Sequence, residues 1–239
     1  MAPITKRGSS SAGGLPAGVR TWLWKGSVGL VLIAVLLFGS AGTLRWAMGW
    51  AVFGVFLIVA VLPVFVVDPD LLAERTRRGK AGQAPWDRPL FAVYGTLSGL
   101  VSFVVPGLDR RFGWSAPVAV WLQIAALGVY LAAWALQIWV MRANRFYSDV
   151  VRIQEDRGQR VVTAGPYAVL RHPGYLSGIV TELARPVVLG SLWGLVPGGL
   201  AALLLAVRTL LEDRTLRAAL PEYAEYALHV RYRLLPGVW

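Results

Sequence analysis

Residues 46–67 read WAMGWAVFGVFLIVAVLPVFVV, 22 positions without a charged side chain. About 20 such residues, each rising 1.5 Å along a helix, cross the roughly 30 Å hydrocarbon core of a bilayer. Asp68-Pro69-Asp70 closes the run with two carboxylates around a helix breaker. The stretch predicts a transmembrane helix, and the segments on either side extend that reading.

Before it, Trp22–Gly39 forms another apolar span, interrupted only by Lys25; the late start of this run argues against a cleavable signal. Residues 1–19 are rich in Gly, Ser, Pro and Ala and carry Lys6 and Arg7, so a disordered tail is expected there. After it, residues 68–89 form a charged connector, and Leu90–Val105 makes a third span of marginal length. Pro106–Ser115, with Asp109, Arg110 and Arg111, reads as a short turn before a long fourth span, Pro117–Met141. Trp121, Trp134 and Trp139 are spread along that span, in keeping with bilayer-interface anchoring or bundle packing. Two shorter apolar segments follow, Tyr175–Leu189 and Leu192–Val207. Gly190-Ser191 separates them, and Pro197-Gly198-Gly199 interrupts the second. Each is short for an upright span, so a helical hairpin that dips in and returns to the same side is expected. Toward the C-terminus Leu216, Leu220, Tyr223, Tyr226, Ala227 and Val230 share one helical face, while Arg217, Glu222 and Glu225 lie elsewhere. The expected fold is all-α: a polytopic membrane helix bundle with four N-terminal spans (residues 20–141), then a C-terminal helical hairpin and a cytoplasmic amphipathic helix (residues 142–239).

Composition supports the membrane reading. Hydrophobic residues make up 56% of the 239 positions and charged residues only 15%, against about 25% in soluble domains. The absence of cysteine excludes disulfides, thiol nucleophiles and cysteine metal sites. With only His172 and His229, a histidine-built metal centre is not expected either. Net charge is +11, but the basic residues lie in loops between spans and not along one polar face, so nucleic acid is not the expected partner. Lys and Arg number four up to Lys25, five in residues 68–89, six in 141–173 and five in 208–239. The alternate loops hold only Arg45, Arg110 and Arg111, and Arg185 lies inside an apolar segment. The positive-inside rule then puts both termini and the polar stretch around residue 165 in the cytoplasm. The Arg-rich, Lys-poor composition is that of a high-GC bacterium, which makes the inner membrane the expected location.

Three polar constellations stand out. VVTAGPYAVLRHPGY, residues 161–175, breaks the backbone twice, at Gly165-Pro166 and His172-Pro173-Gly174. Backbone groups freed next to a membrane need partners, which a polar ligand can supply, and Tyr167 and Tyr175 offer ring faces and hydroxyls. An interfacial loop with Tyr and Arg as headgroup anchors is the alternative. Second, Arg208 and Glu212 in RTLLED are four apart on one helix face: either an i,i+4 ion pair, or a guanidinium free to hold an anion in a two-pronged grip. A hairpin would bring this motif back beside residues 161–175. Third, Glu182 and Arg185 lie three apart at membrane depth, where ionisable groups are costly and are paired or functional. No Gly-rich nucleotide fingerprint occurs in strand–turn–helix context, and there is no nucleophile elbow.

GPYAVLRHPGYLSG at 165–178, then R-x-x-x-E-D-x-x-L at 208–216, then PEYAEYALHVRYRLLP at 221–236, is an order and spacing that resembles the isoprenylcysteine carboxyl methyltransferase family. These are integral membrane enzymes that use S-adenosylmethionine, and the resemblance covers roughly Asn144–Trp239. It implies a cofactor site at His172, Pro173, Gly174 and Tyr175, with Tyr167 from the family's Gly-x-Tyr and a backbone-binding run at Gln159, Arg160, Val161 and Val162. Gln154 is the nearest counterpart of a further glutamine. Arg208 falls on the arginine associated with substrate, and Glu212 on the glutamate associated with the cofactor. Residues 142–239 are therefore expected to hold cofactor and catalysis, with a lipophilic small molecule or lipid as acceptor. Asp213 departs from the family's second glutamate, and the Glu182/Arg185 pair has no identified counterpart.

Three other readings compete. A related methyltransferase acting on a lipid amine or other headgroup would need a base, for which only Glu182 or Asp213 is at hand. A sterol-type membrane reductase using NADPH resembles this chain in a Pro-x-Tyr segment, but carries a glutamate three residues beyond the tyrosine, where Gly178 stands here. A non-enzymatic membrane component would leave the clustered Tyr, His, Arg and Glu unexplained.

Overall fold

A computed structural model describes residues 14–77 and 81–239, and all secondary structure among them is helical. Five helices are long and apolar enough to cross a membrane: α1 (Ala17–Gly39), α2 (Ala47–Val66), α4 (Asp87–Phe112), α5 (Val120–Ala143) and α7 (Leu195–Ala219). Three shorter ones complete the chain: α3 (Pro69–Thr76), α6 (Pro173–Val188) and α8 (Pro221–His229). The protein is thus a polytopic all-α membrane protein. Large apolar side chains such as Val31, Phe65, Trp121 and Leu203 remain open on its outer faces, where lipid tails would meet them.

The helices depart from the sequence expectations at three proline sites. Most of the expected tail lies outside the described residues, but Ala17 already belongs to α1, following Pro16. Pro106 does not end the third span. The wide π turn Leu97–Val101 and the open ψ of −3° at Ser102 loosen the chain near the carbonyl that the Pro106 ring would otherwise strike. Asp109, Arg110 and Arg111 therefore sit on the last turn of α4, and the helix stops at Gly113 with φ +65°. The two arginines there complement the helix dipole.

Nor does Pro197-Gly198-Gly199 interrupt the last span. It falls in the first turn of α7, where N–H groups have no intrahelical acceptor and proline costs little. Gly198 lets α7 cross α6 closely, since a Cβ there would come within 2.5 Å of the Glu182 carbonyl oxygen. The second arm of the hairpin is thereby 25 residues long, enough to span the membrane and not merely dip into it. The expected amphipathic stretch is also split. Leu220 is extended (φ −123°, ψ 102°) ahead of Pro221, as a residue before proline prefers. Tyr223, Tyr226 and Ala227 on α8 are nonetheless buried, as their shared face required.

Leu37, Phe38, Val52, Val55, Phe103, Tyr130, Ala184 and Val188 form one core shared by α1, α2, α4, α5 and α6. A smaller cluster, Val19, Val67, Leu71, Leu72 and Met141, packs α3 against α1 at one end of the bundle. Part of the charged connector is therefore a docked helix, started by Pro69 and by the Asp68 side chain, which accepts the Asp70 N–H at 2.8 Å. At the opposite end Asp109 accepts the Ser115 N–H at 2.6 Å and the Ser191 hydroxyl at 2.5 Å, tying α4 to the α6–α7 turn.

Candidate functional site

A cavity of about 480 Å³ opens where the irregular segment 144–172 packs over α4, α5, α6, α7 and α8. It is lined by Gln154, Gln159, Arg160, Val161, Val162, Tyr167, His172, Gly174, Tyr175, Arg208 and Glu212. Every residue that the resemblance places at the cofactor or substrate site, except Pro173, thus faces one space. Pro173 is the first residue of α6 and buried, so its part is to start the helix.

The two backbone breaks aim side chains into this space. Gly165 has φ +61° and sits against the Trp139 indole, 3.2 Å from where its Cβ would be. The short 3₁₀ turn Gly165–Ala168 then delivers Tyr167, whose hydroxyl accepts from the Asn144 amide at 3.0 Å and whose carbonyl accepts from Tyr226 at 2.6 Å. Burial pushes the Tyr167 hydroxyl well above its ordinary pKa. At the second break Gly174 lies under the Tyr147 ring, where a Cβ would come within 2.8 Å. Tyr147 is in turn held by the Gln137 amide at 2.8 Å and faced by the Arg75 guanidinium at 4.9 Å. Ahead of the first break, residues 159–163 belong to no helix, and among the described residues the N–H groups of Arg160, Val161 and Val162 donate to no protein acceptor.

Arg208 and Glu212 do not pair with each other. Arg208 is bound to Asp87, Nη2 to Oδ1 at 2.7 Å and Nε to Oδ1 at 2.9 Å, and its Nη2 also reaches the Asp149 carbonyl at 3.0 Å. The guanidinium lies over the Tyr175 ring at 5.6 Å and the Phe91 ring at 5.4 Å. Glu212 instead accepts the Tyr175 hydroxyl at 2.6 Å. Tyr175 therefore separates the two charges, its ring against one and its oxygen against the other. Two of the three guanidinium nitrogens are engaged, so the two-pronged grip expected from the sequence is reduced to Nη1.

Asp87 was not singled out in the sequence. It is fully buried in the first turn of α4 and also accepts from the Val151 N–H at 2.9 Å and the Gln83 amide at 3.0 Å. A carboxylate at the mouth of an apolar span was its only signal.

Asp213 proves to be a structural hub and not a base. Its oxygens take the Arg171 Nε at 2.9 Å, the Tyr223 hydroxyl at 3.0 Å, and the Nε groups of Arg217 and Arg233 at 3.1 Å; the His172 Nε2 lies 3.4 Å away. Arg171, which the sequence did not single out, also donates to the carbonyls of Val230 and Arg231 at 2.9 Å. The N–H groups of Arg171 and His172 donate to Tyr232 and Arg233 at 3.0 Å, so the C-terminal segment is latched beneath the His-Pro break. Gln154 lines the cavity but spends its amide on the loop, donating to the Phe146 carbonyl at 2.5 Å and accepting from Arg157 at 2.6 Å.

Glu182 and Arg185 are a buried pair, 2.5 Å apart, and both line the inner end of the same cavity. Glu182 is further held by the Ser98 hydroxyl at 2.5 Å, so it is not free to act as a base. Among the described residues no three His, Cys, Asp or Glu side chains gather as a metal ion would require.

Such a bundle, with a polar cavity set against apolar helix walls, defines a polytopic helical membrane protein. Residues 124–218 match the isoprenylcysteine carboxyl methyltransferase (ICMT) family. It is also similar to the cobalt-zinc-cadmium resistance protein CzcN of Cupriavidus metallidurans, at 32% identity over 136 residues. That match takes in 54% of this chain and 56% of CzcN, so the chain spans little more than half the length of that relative.

Proposed function

We propose that this protein is a membrane methyltransferase that uses S-adenosylmethionine and acts on a lipophilic acceptor, in the first place a carboxylate. The observation that carries the reading is the convergence of the His-Pro-Gly-Tyr break, Arg208 and Glu212 on one cavity within the region matching the ICMT family. The residues fit the cofactor. The N–H groups of Arg160–Val162, which find no acceptor among the described residues, the ring faces of Tyr147 and Tyr175, and the Glu212 carboxylate are the partners that a nucleoside with a cationic sulfonium tail needs. Bound there, S-adenosylmethionine would supply an electrophilic methyl group.

The protein's own contribution is positioning and exclusion of water. A carboxylate oxygen is already a nucleophile, so methyl transfer to it yields an ester without a general base. Arg208, held in place by Asp87, would orient that carboxylate through Nη1. Tyr175 would keep the acceptor's positive anchor apart from Glu212, which faces the cofactor side. Apolar walls from Phe56, Val59, Phe91 and Met141 would take the lipophilic tail. By loop charge, the cavity mouth is assigned to the cytoplasmic face of the bacterial inner membrane.

An amine acceptor is less well served, because Asp213 and Glu182 are both consumed by internal partners. A reductase of the sterol type is also disfavoured. Gly178 stands where those enzymes carry a glutamate, so the carboxylate that reading needs is missing here.

The test is to incubate purified protein with methyl-labelled S-adenosylmethionine and a lipid extract, and to isolate labelled lipid-soluble product. Base-labile label is expected for an ester. Glu212→Ala should abolish labelling while the protein remains folded, and Arg208→Lys, which keeps a positive charge opposite buried Asp87 but loses the planar fork, should cut labelling sharply. Full activity in both variants would overturn the site, and a thermal shift with NADPH but not with S-adenosylmethionine would favour the reductase.

A further inference from the structure

The inner end of the cavity holds polar groups that the methyl-transfer chemistry does not use. Arg185 is 2% exposed, and its Nη2 is spent on Glu182, yet its Nε–H has no partner among the described residues. The Trp134 indole N–H and the Tyr130 and Ser102 hydroxyls are likewise buried and unpartnered. These atoms belong together. Tyr130, Phe103 and Ala184 share one core cluster, the Tyr130 and Trp134 rings meet edge-to-face at 6.3 Å, and the Arg185 guanidinium rests on the Phe103 ring at 4.6 Å. Arg185 and Trp134 both line the cavity. A buried donor left unmade is costly, and native structures leave few of them. Two of them, on Arg185 and Trp134, face one end of an internal cavity and mark a place where something polar binds.

The chemistry of the ligand follows from what is left over. The charge of Arg185 is already matched by Glu182, and both Glu182 oxygens accept protein hydrogen bonds. An anion would meet Glu182 in a dry interior, and a cation would find no free acceptor. An uncharged oxygen satisfies the orphan donors without either conflict. Its distance from the reacting end is set by α6, which carries Tyr175, Glu182 and Arg185. At 1.5 Å rise per residue these lie about 10–15 Å along the helix from the Tyr175 level.

The geometry points to a second, acceptor-recognising subsite centred on Arg185, which takes a hydroxyl, carbonyl or ether oxygen carried about 10–15 Å from the reacting group of an elongated lipophilic acceptor. This rests on the methyl-transfer reading above, in which the reacting carboxylate lies at Arg208. The acceptor is then polar at both ends and apolar between them, where Phe56, Val59 and Phe91 line the wall.

Two probes of matched chain length test it: dodecanoate and ω-hydroxydodecanoate, titrated calorimetrically into the detergent-solubilised wild type. The hydroxylated probe is expected to bind at least about tenfold tighter, as a hydrogen bond to a charged donor allows. Replacing both members of the pair avoids a lone buried charge, so Glu182→Gln/Arg185→Met should fold, bind dodecanoate as before, and lose the preference to below about twofold. Trp134→Phe, which removes an unpartnered donor from the cavity wall and no charge, should lower the preference by about threefold and carries the test if the double variant misfolds. Equal affinity for the two probes in the wild type, no binding of either, or a preference undiminished in both variants overturns the subsite. S-adenosylmethionine titrated in parallel reports separately on the methyl-donor reading: its failure to bind the wild type sinks that reading, whatever the two probes do.

Discussion

Arg208 and Asp87 lie 2.7 Å apart across 121 residues of sequence, and this pair decides where the cationic group of the site points. Asp87 is fully buried at the start of α4, and Arg208 is 4% exposed about three turns from the end of α7. Without the carboxylate, the guanidinium four residues from Glu212 would have that side chain as its natural partner. With it, Glu212 is left to Tyr175.

Breaking this pair on one side should therefore be severe. Asp87→Ala leaves a buried guanidinium uncompensated and is expected to cost about 3–5 kcal/mol of stability. Asp87→Ala/Arg208→Ala should cost much less than the two single variants together. Thermal or denaturant unfolding in detergent closes this double-mutant cycle, and additive losses would show that the two side chains do not interact.

Tyr175→Phe separates the ring from the hydroxyl. The ring still faces Arg208, but Glu212 loses the hydrogen bond it accepts at 2.6 Å. Affinity for S-adenosylmethionine is expected to fall about tenfold, within the range for a hydrogen bond to a charged group, with only a minor shift in melting temperature. Unchanged affinity would remove Glu212 from the cofactor side.

The α6–α7 crossing is tested by neighbouring glycines. A methyl group at Gly198 meets the Glu182 carbonyl at 2.5 Å, whereas nothing lies within 4 Å of Gly199. Gly198→Ala should destabilise by about 1–3 kcal/mol, as overpacking does. Gly199→Ala should be neutral or slightly stabilising, because alanine is the better helix former. Equal melting temperatures for the two variants would mean that the helices do not cross at this point.

Alkaline stability should report the buried tyrosines around the cavity. Burial raises the pKa of Tyr147, Tyr167, Tyr223 and Tyr226, and for Tyr223 the nearby Asp213 carboxylate adds to the effect. A raised folded pKa means that the stabilisation is complete below the unfolded value near pH 10 and is lost as pH rises beyond it. Each such tyrosine then contributes about 1.4 kcal/mol of loss per pH unit. Unfolding followed between pH 9 and pH 12 should steepen above pH 10, and Tyr167→Phe should reduce the slope by about one proton.

Legibility in the sequence varied with the kind of signal. The long apolar run 46–67 appears as Ala47–Val66, one residue short at each end, whereas the span expected from Trp22 begins five residues earlier at Ala17. The misreadings sit at prolines. Pro106 and Pro197 look like breaks in one dimension, but a π turn relieves the first and helix-start geometry absorbs the second. Within the candidate site, Tyr167, His172, Tyr175, Arg208 and Glu212 all reach the cavity, since a hairpin necessarily returns Arg208 to the level where α6 began. Asp87 and Arg171 went unseen because their roles exist only through partners far along the chain.

The sequence by itself determined that this is a helical membrane protein with most of its polar equipment in the C-terminal half. Hydrophobic length and the Gly and Pro breaks are local properties that need no neighbour to act. Only the tertiary structure decided which charges pair. The choice of Asp87 over Glu212 by Arg208, the sealing of Asp213 among arginines, and the unpaired donors around Arg185 all depend on desolvation and distance, and both arise only when the helices pack.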